Sequence, residues 1–236
     1  MESNKFSVPL AIIVAGLLVA GAIIYTSKNG GTARTNNQNN PQAADALSLL
    51  EEVREVSDDD HLRGSLDAKV VIVEYSDTEC PFCKRFHESM KQVMGEYGAS
   101  GNVAWVYRHF PLEQLHSKAK SEAVALECAA ELGGNEKFWA YTDRIYEITP
   151  ANDGLDPAEL PKIAQYVGLD VNQFKSCLTS GKHEAKVEAD LANALATGGN
   201  GTPWSIVISE SGKKYPLSGA QPYPAIKQLI ETALKD

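Results

Sequence analysis

Positive charge is scarce in this sequence: 22 Lys and Arg stand against 31 Asp and Glu, a formal net charge of -9. An acidic chain without a long basic run is poorly matched to phosphate backbones, so nucleic acid is excluded as a partner. Proline (11) and glycine (18) are too few for a fibrous or disordered chain, and 43% of the residues are hydrophobic. Only four cysteines are present, too few for a small disulfide-stapled protein but even in number. There is no internal repeat. The 236 residues suffice for one ordinary domain with an appendage, or for two small domains.

One long apolar run is present. Val8 to Tyr25 carries no charge over eighteen residues, and at ~1.5 Å per residue it covers about 27 Å, close to the ~30 Å hydrocarbon core of a bilayer. A core helix would seldom lack polar residues on every face. A cleaved signal peptide is the nearer rival, with a weak small-residue site at Ala20-Gly21-Ala22. The apolar run continues past that site through Ile23, Ile24 and Tyr25, which favours a retained anchor. The expected organisation is an anchor over residues 1–28, a flexible polar linker over 29–45 and a folded domain over 46–236. Ala46, Leu49, Leu50, Val53 and Val56 fall at helical spacing and predict a short amphipathic helix leading into that domain.

The folded region is expected to be α/β. Val70 to Tyr75 is a β-branched run typical of a central strand, and Val103 to Phe110 is a second. Between them Phe82, Phe86, Met90, Val93, Met94 and Tyr97 mark a helix, so the strands should be parallel with a right-handed crossover. From about 114 to 198 the pattern is helical: segments open near Ser117 and Glu136, at Asp156-Pro157 and Asp170, and at His183. Phe138 and Trp139 are expected to anchor this block's own core. Strand character returns at Trp204–Ser209 and Lys214–Leu217, an apparent hairpin, and Tyr223 to Leu234 closes as a helix.

The chemistry is expected in Cys80-Pro81-Phe82-Cys83, where a strand ends and a helix begins. Unpaired N–H groups at a helix start carry partial positive charge and favour a thiolate over a thiol at Cys80. Two intervening residues let both sulfurs meet in one turn, with Cys80 attacking and Cys83 resolving. The competing readings are half of a zinc site, for which no second ligand pair is evident, and an inert disulfide. No metal or cofactor is expected. Gly201-Thr202-Pro203 precedes the strand that follows the helical block, either as a cis proline facing the cysteines or as an ordinary turn. Glu74, six residues before Cys80, is either buried behind the pair as a proton shuttle for Cys83 or a solvated edge residue. His87, Arg108 and His109 read as packing or pairing residues.

Glu74-Tyr75-Ser76-Asp77, Cys80-Pro81-Phe82-Cys83, Tyr107-Arg108-His109-Phe110-Pro111, the helical insertion and Gly201-Thr202-Pro203 occur in an order that resembles the DsbA family of thiol–disulfide oxidoreductases. The resemblance covers about residues 60 to 236. It implies a thioredoxin fold with an inserted helical domain, a cis bond at Pro203 facing the sulfurs, and donation of disulfides to exported proteins. Family members with a His in the dipeptide use it to stabilise the thiolate; Phe82 stands there in this chain. Cys128 and Cys177 lie 49 positions apart on helices of the insertion. Some DsbA-like proteins pair such cysteines, and two separate buried thiols are the alternative.

The expected partners are unfolded exported proteins with free thiols, a quinone-linked membrane reoxidase, and the membrane itself through the N-terminal helix. The expected location is the outer side of the inner membrane. Two other readings compete: a reductase or isomerase of the same compartment, and a redox-idle module that clasps extended peptides by strand addition beside Pro203.

Overall fold

Val70–Ser76 (β2) and Val103–His109 (β3) are almost wholly buried, which is why both read as continuous apolar runs. They pair in parallel, Val70 opposite Val103 through Ser76 opposite His109. The crossover is the helix Pro81–Val93 (α1), extended by a wider turn over Met94–Gly98. The structure, a computed structural model, describes residues 47–236. The expected span Val8–Tyr25 and the linker 29–45 lie outside the described residues. Among the described residues no helix is long and apolar enough to cross a membrane.

Among the described residues one five-stranded sheet forms, with a hairpin beyond β2 and a short edge strand beyond β3. The hairpin Trp204–Ser209 (β4) and Lys214–Ser218 (β5) lies antiparallel on the β2 side. His61–Arg63 (β1) pairs antiparallel with β3 at the far edge. Three residues are too short a run to show a period, so β1 was not expected. The entry helix is shorter than its apolar spacing predicts: one helical turn is followed by a 3-10 turn at Leu50–Glu52, and the chain is extended by Val53.

The inserted block holds Ala119–Ile148 (α2), Glu159–Tyr166 (α3), Val171–Leu178 (α4) and Glu184–Ala196 (α5), and Tyr223–Ala233 (α6) closes the chain. The two helices expected near Ser117 and Glu136 run on as one element bent at Gly134, whose φ of 70° suits a residue without Cβ. Asp170 caps α4 by accepting from the Asn172 and Gln173 amides. Asp156 does not cap α3; it accepts from Ala158 in the turn before it, and the helix starts two residues later.

The insertion does not have a core of its own, as Phe138 and Trp139 had suggested. Phe138 stacks on His61 of β1 at 3.5 Å, and Trp139 meets Trp105 of β3 at 4.6 Å. One apolar cluster runs from α1 and the sheet into α2, α3 and α4. Arg63 and His87 both reach Asp143 on α2 at 2.8 Å, fastening the insertion to β1 and α1. On the opposite face Arg108 is buried between Asp60 (2.7 Å), Tyr75 and the carbonyl oxygens of Arg54 and Glu55. That ion pair pins the segment entering the domain to the end of β3.

Candidate active site

Cys80 is the N-cap of α1 and Pro81 its first helical residue, where a missing N–H costs nothing. Cys83 lies one turn in and is 0% exposed, Cys80 is 4% exposed, and Phe82 between them is 52% exposed. The two thiols are unbridged. Only the Cys80 sulfur has an approach from outside, so the order of attack follows from burial.

The two thiols sit in opposite electrostatic conditions. The Cys83 thiol hydrogen-bonds the Cys80 sulfur; this outweighs burial and, with Thr202 and the Phe82 and Cys83 amides, lowers the Cys80 pKa to about 6. The helix-start amides contribute as the sequence suggested, but the neighbouring thiol contributes more. Burial raises Cys83 well above the ordinary value, and the charges on Cys80 and Glu74 add to that. The Asp77 amide donates to the Cys83 sulfur at 3.4 Å.

The Thr202–Pro203 bond is cis. As a thiol, Cys80 donates to the Thr202 carbonyl at 3.5 Å. The Thr202 hydroxyl has no other partner and can donate to the thiolate form. Glu74 is fully buried on β2 and accepts from the Trp105 indole at 2.8 Å, while its other oxygen is unpartnered. Burial raises its pKa to about 7, the range for proton exchange near neutrality. The solvated-edge reading of Glu74 does not hold, because β2 is the middle strand of the sheet.

The structure thus brings together Cys80, Cys83, Thr202, Pro203 and Glu74. It sets Cys128 and Cys177 apart from them, joined as a disulfide between α2 and α4. His87 is buried against Trp105 and Tyr146 and bonded to Asp143, a packing residue. His109 shares the Glu127 carboxylate with His61 at 2.8 and 2.7 Å. Burial opposes that charge, but the two imidazoles outweigh it and hold Glu127 well below the usual range.

Sequence reading placed Asp77 in the family motif but gave it no role; it ties the site's loops together. Its carboxylate accepts from the Glu79 amide (2.8 Å), the Leu112 amide (2.8 Å) and His116 Nδ1 (2.9 Å). An acid directly after a strand, at the start of a turn, was the available signal. Beside Gly201 an open groove of about 540 Å³ is lined by Phe110, Leu112, Leu115, Leu191 and Leu195. Leu115 and Leu195 are exposed.

Residues 56–231 match the family described as Thioredoxin. The chain belongs to the thioredoxin family. Among solved structures it is similar to DsbA2 of Pseudomonas aeruginosa, with 26% identity and a TM-score of 0.66 over 78% of this chain and 98% of that one. BdbD of Bacillus subtilis superposes with a TM-score of 0.66 at 22% identity, covering 75% and 94%. The chain is a DsbA-like member of the thioredoxin family. It is also 37% identical over 159 residues to the Na(+)/H(+) antiporter NhaA 1 of Mycolicibacterium vanbaalenii, covering 66% of this chain. The chain spans about a quarter of the length of that relative.

Proposed function

We propose that this thioredoxin-family chain donates the Cys80–Cys83 disulfide to exported proteins outside the cytoplasm. The low pKa of Cys80 beside the high pKa of Cys83 carries the reading. A stabilised thiolate favours the reduced dithiol, and a pair whose reduced form is stabilised is a strong oxidant.

In the proposed cycle a client thiolate attacks the Cys80 sulfur of the oxidised pair, and the sulfur–sulfur bond breaks with its electrons on Cys83. Cys83, buried and basic, takes up a proton, with Glu74 as its source. A second client thiolate then attacks the client sulfur of the mixed disulfide and releases Cys80 as a thiolate. Two client thiols have become one disulfide, and the enzyme pair has gained two electrons. A quinone-linked membrane reoxidase returns the pair to the disulfide. Thr202 and Pro203 hold the client segment beside Cys80, and the leucine-lined groove next to Gly201 suits extended segments with large apolar side chains. Val8–Tyr25 would keep the domain at the outer face of the membrane.

The test is a titration of the pair against glutathione, followed by disulfide formation in a reduced, unfolded client. The expected potential lies well above that of thioredoxin, with rapid client oxidation. A potential near thioredoxin's, with client reduction instead, would contradict disulfide donation.

A further inference from the structure

Glu79 immediately precedes Cys80, and Glu122 lies on α2 of the insertion; both side chains are buried. Their carboxyl groups meet in the interior. Glu79 Oε2 accepts from the Gly154 amide at 3.2 Å, while Glu79 Oε1 and Glu122 Oε2 have no partner. Two ionised carboxylates cannot satisfy one another, because each only accepts. One proton resolves both orphans: a protonated Glu122 donates to Glu79. The Thr78 hydroxyl, also without another partner, lies against Glu122.

What Glu79 holds gives the pair its consequence. Its amide donates to Asp77 at 2.8 Å and its carbonyl accepts from Asn152 at 2.7 Å. Ala151, Asn152 and Asp153 all have φ between 52° and 64°, a left-handed run that costs energy in non-glycine residues and must be held by its surroundings. Glu79 thus ties together the turn presenting Cys80, the loop after α2 and α2 itself.

We propose that Glu79 and Glu122 share one proton, and that through it Glu122 is a positioning residue for Cys80. The charged and titratable groups around the pair are Asp77 and Cys80 in the same turn, His116 on Asp77, Tyr141 of α2, and Asp153 with its partner Lys118. Asp153 accepts from the Lys118 amide, and the Lys118 ammonium donates to the Asp153 and Leu155 carbonyl oxygens at 2.6 and 2.7 Å; neither it nor His116 hydrogen-bonds Glu79 or Glu122. Burial first, then Glu79 and the charge on Asp77, raise Glu122 to about 9 from an ordinary 4.5. Because the folded value is raised, this pair's contribution to stability is lost as pH climbs from about 4.5 to about 9.

Three readouts test the proposal. In infrared difference spectra at about pH 8, above the Glu74 titration, the parent should show a protonated-carboxyl band that E122Q lacks. The Tm of E122Q minus that of the parent should widen from about pH 4.5 to about 9 and then level off. E79Q, whose amide can donate to Glu122 in place of the shared proton, should weaken both effects without abolishing them, because Glu122 stays buried, and it serves if the first variant fails to fold. A missing band, or a Tm difference independent of pH, would overturn the shared proton.

The positioning half rests on the exchange chemistry proposed for Cys80. Disulfide transfer, normalised to client thiolate, should stay within about twofold in E122Q and fall about tenfold in E122A, the scale of one buried hydrogen bond. The parent should slow above about pH 9 while E122Q does not. Equal rates in both variants would overturn the positioning role. A parent with no exchange activity would contradict the proposed function instead, with the infrared and Tm readouts still deciding the proton.

Discussion

The two cysteine pairs are made of the same atoms in one chain and are set up for opposite fates. Cys80 and Cys83 sit at the mouth of α1, adjacent in one turn, with sulfur pKa values driven apart by each other and by burial. Cys128 and Cys177 face each other from α2 and α4, are both buried, and close a separation of 49 residues. A pair near in sequence constrains little of the unfolded chain, so its disulfide is cheap to open. A pair far apart constrains a great deal. Reactivity in this molecule is therefore a matter of place and loop length, and the same oxidising surroundings would leave one pair a reagent and the other a brace.

The sharpest way to break that contrast is to disable each pair in turn. Cys80→Ala should abolish disulfide exchange with a reduced peptide while leaving the thermal transition in place. If exchange survives, the pairs do not differ as described. Cys128→Ala with Cys177→Ala should reverse the pattern: exchange persists, and denaturant unfolding shows a loss of about 4 kcal/mol in the chain-entropy picture. A stability change near zero would mean that the helical block does not need its brace.

Glu74 tests the environment beneath the reactive pair. Its folded pKa of about 7 is raised above the ordinary 4.5, so the parent loses stability as pH rises between these values. Glu74→Gln should escape that loss and gain up to about 3 kcal/mol over the parent by pH ~8, while slowing proton-coupled exchange roughly a hundredfold. Urea titrations at several pH values read the first effect and stopped-flow exchange the second. The smallest expected change comes from Phe82→His. A half-exposed imidazolium beside Cys80 should lower its pKa by about one unit or less, because solvent screens it. A thiol titration of the variant checks this.

Much of the contrast is legible in the sequence, and the reason is local. Cys80-Pro81-Phe82-Cys83 places cap, proline and both sulfurs within one turn, and β2, α1 and β3 announce themselves by period. Gly201-Thr202-Pro203 lies far along the chain, and its approach to Cys80 became an expectation only through family resemblance. What stayed hidden depends on packing across the chain. Asp77, Glu79 and Glu122 read as polar residues of turns and helix faces, because nothing in a window of residues shows that α2 and the loop after it cover them. Phe138 and Trp139 read as a separate core because their partners, His61 and Trp105, sit on strands some eighty and thirty residues earlier in the chain. Period locates elements; it does not say which buried faces meet.

Cys80 carries the most weight, and its ionisation can be measured directly. Thiolate absorbance of the reduced protein, followed against pH with Cys80→Ala as the blank, should show one thiol half-ionised near 6 and Cys83 still protonated far above it. A single midpoint close to the ordinary 9.0 for both sulfurs would contradict it.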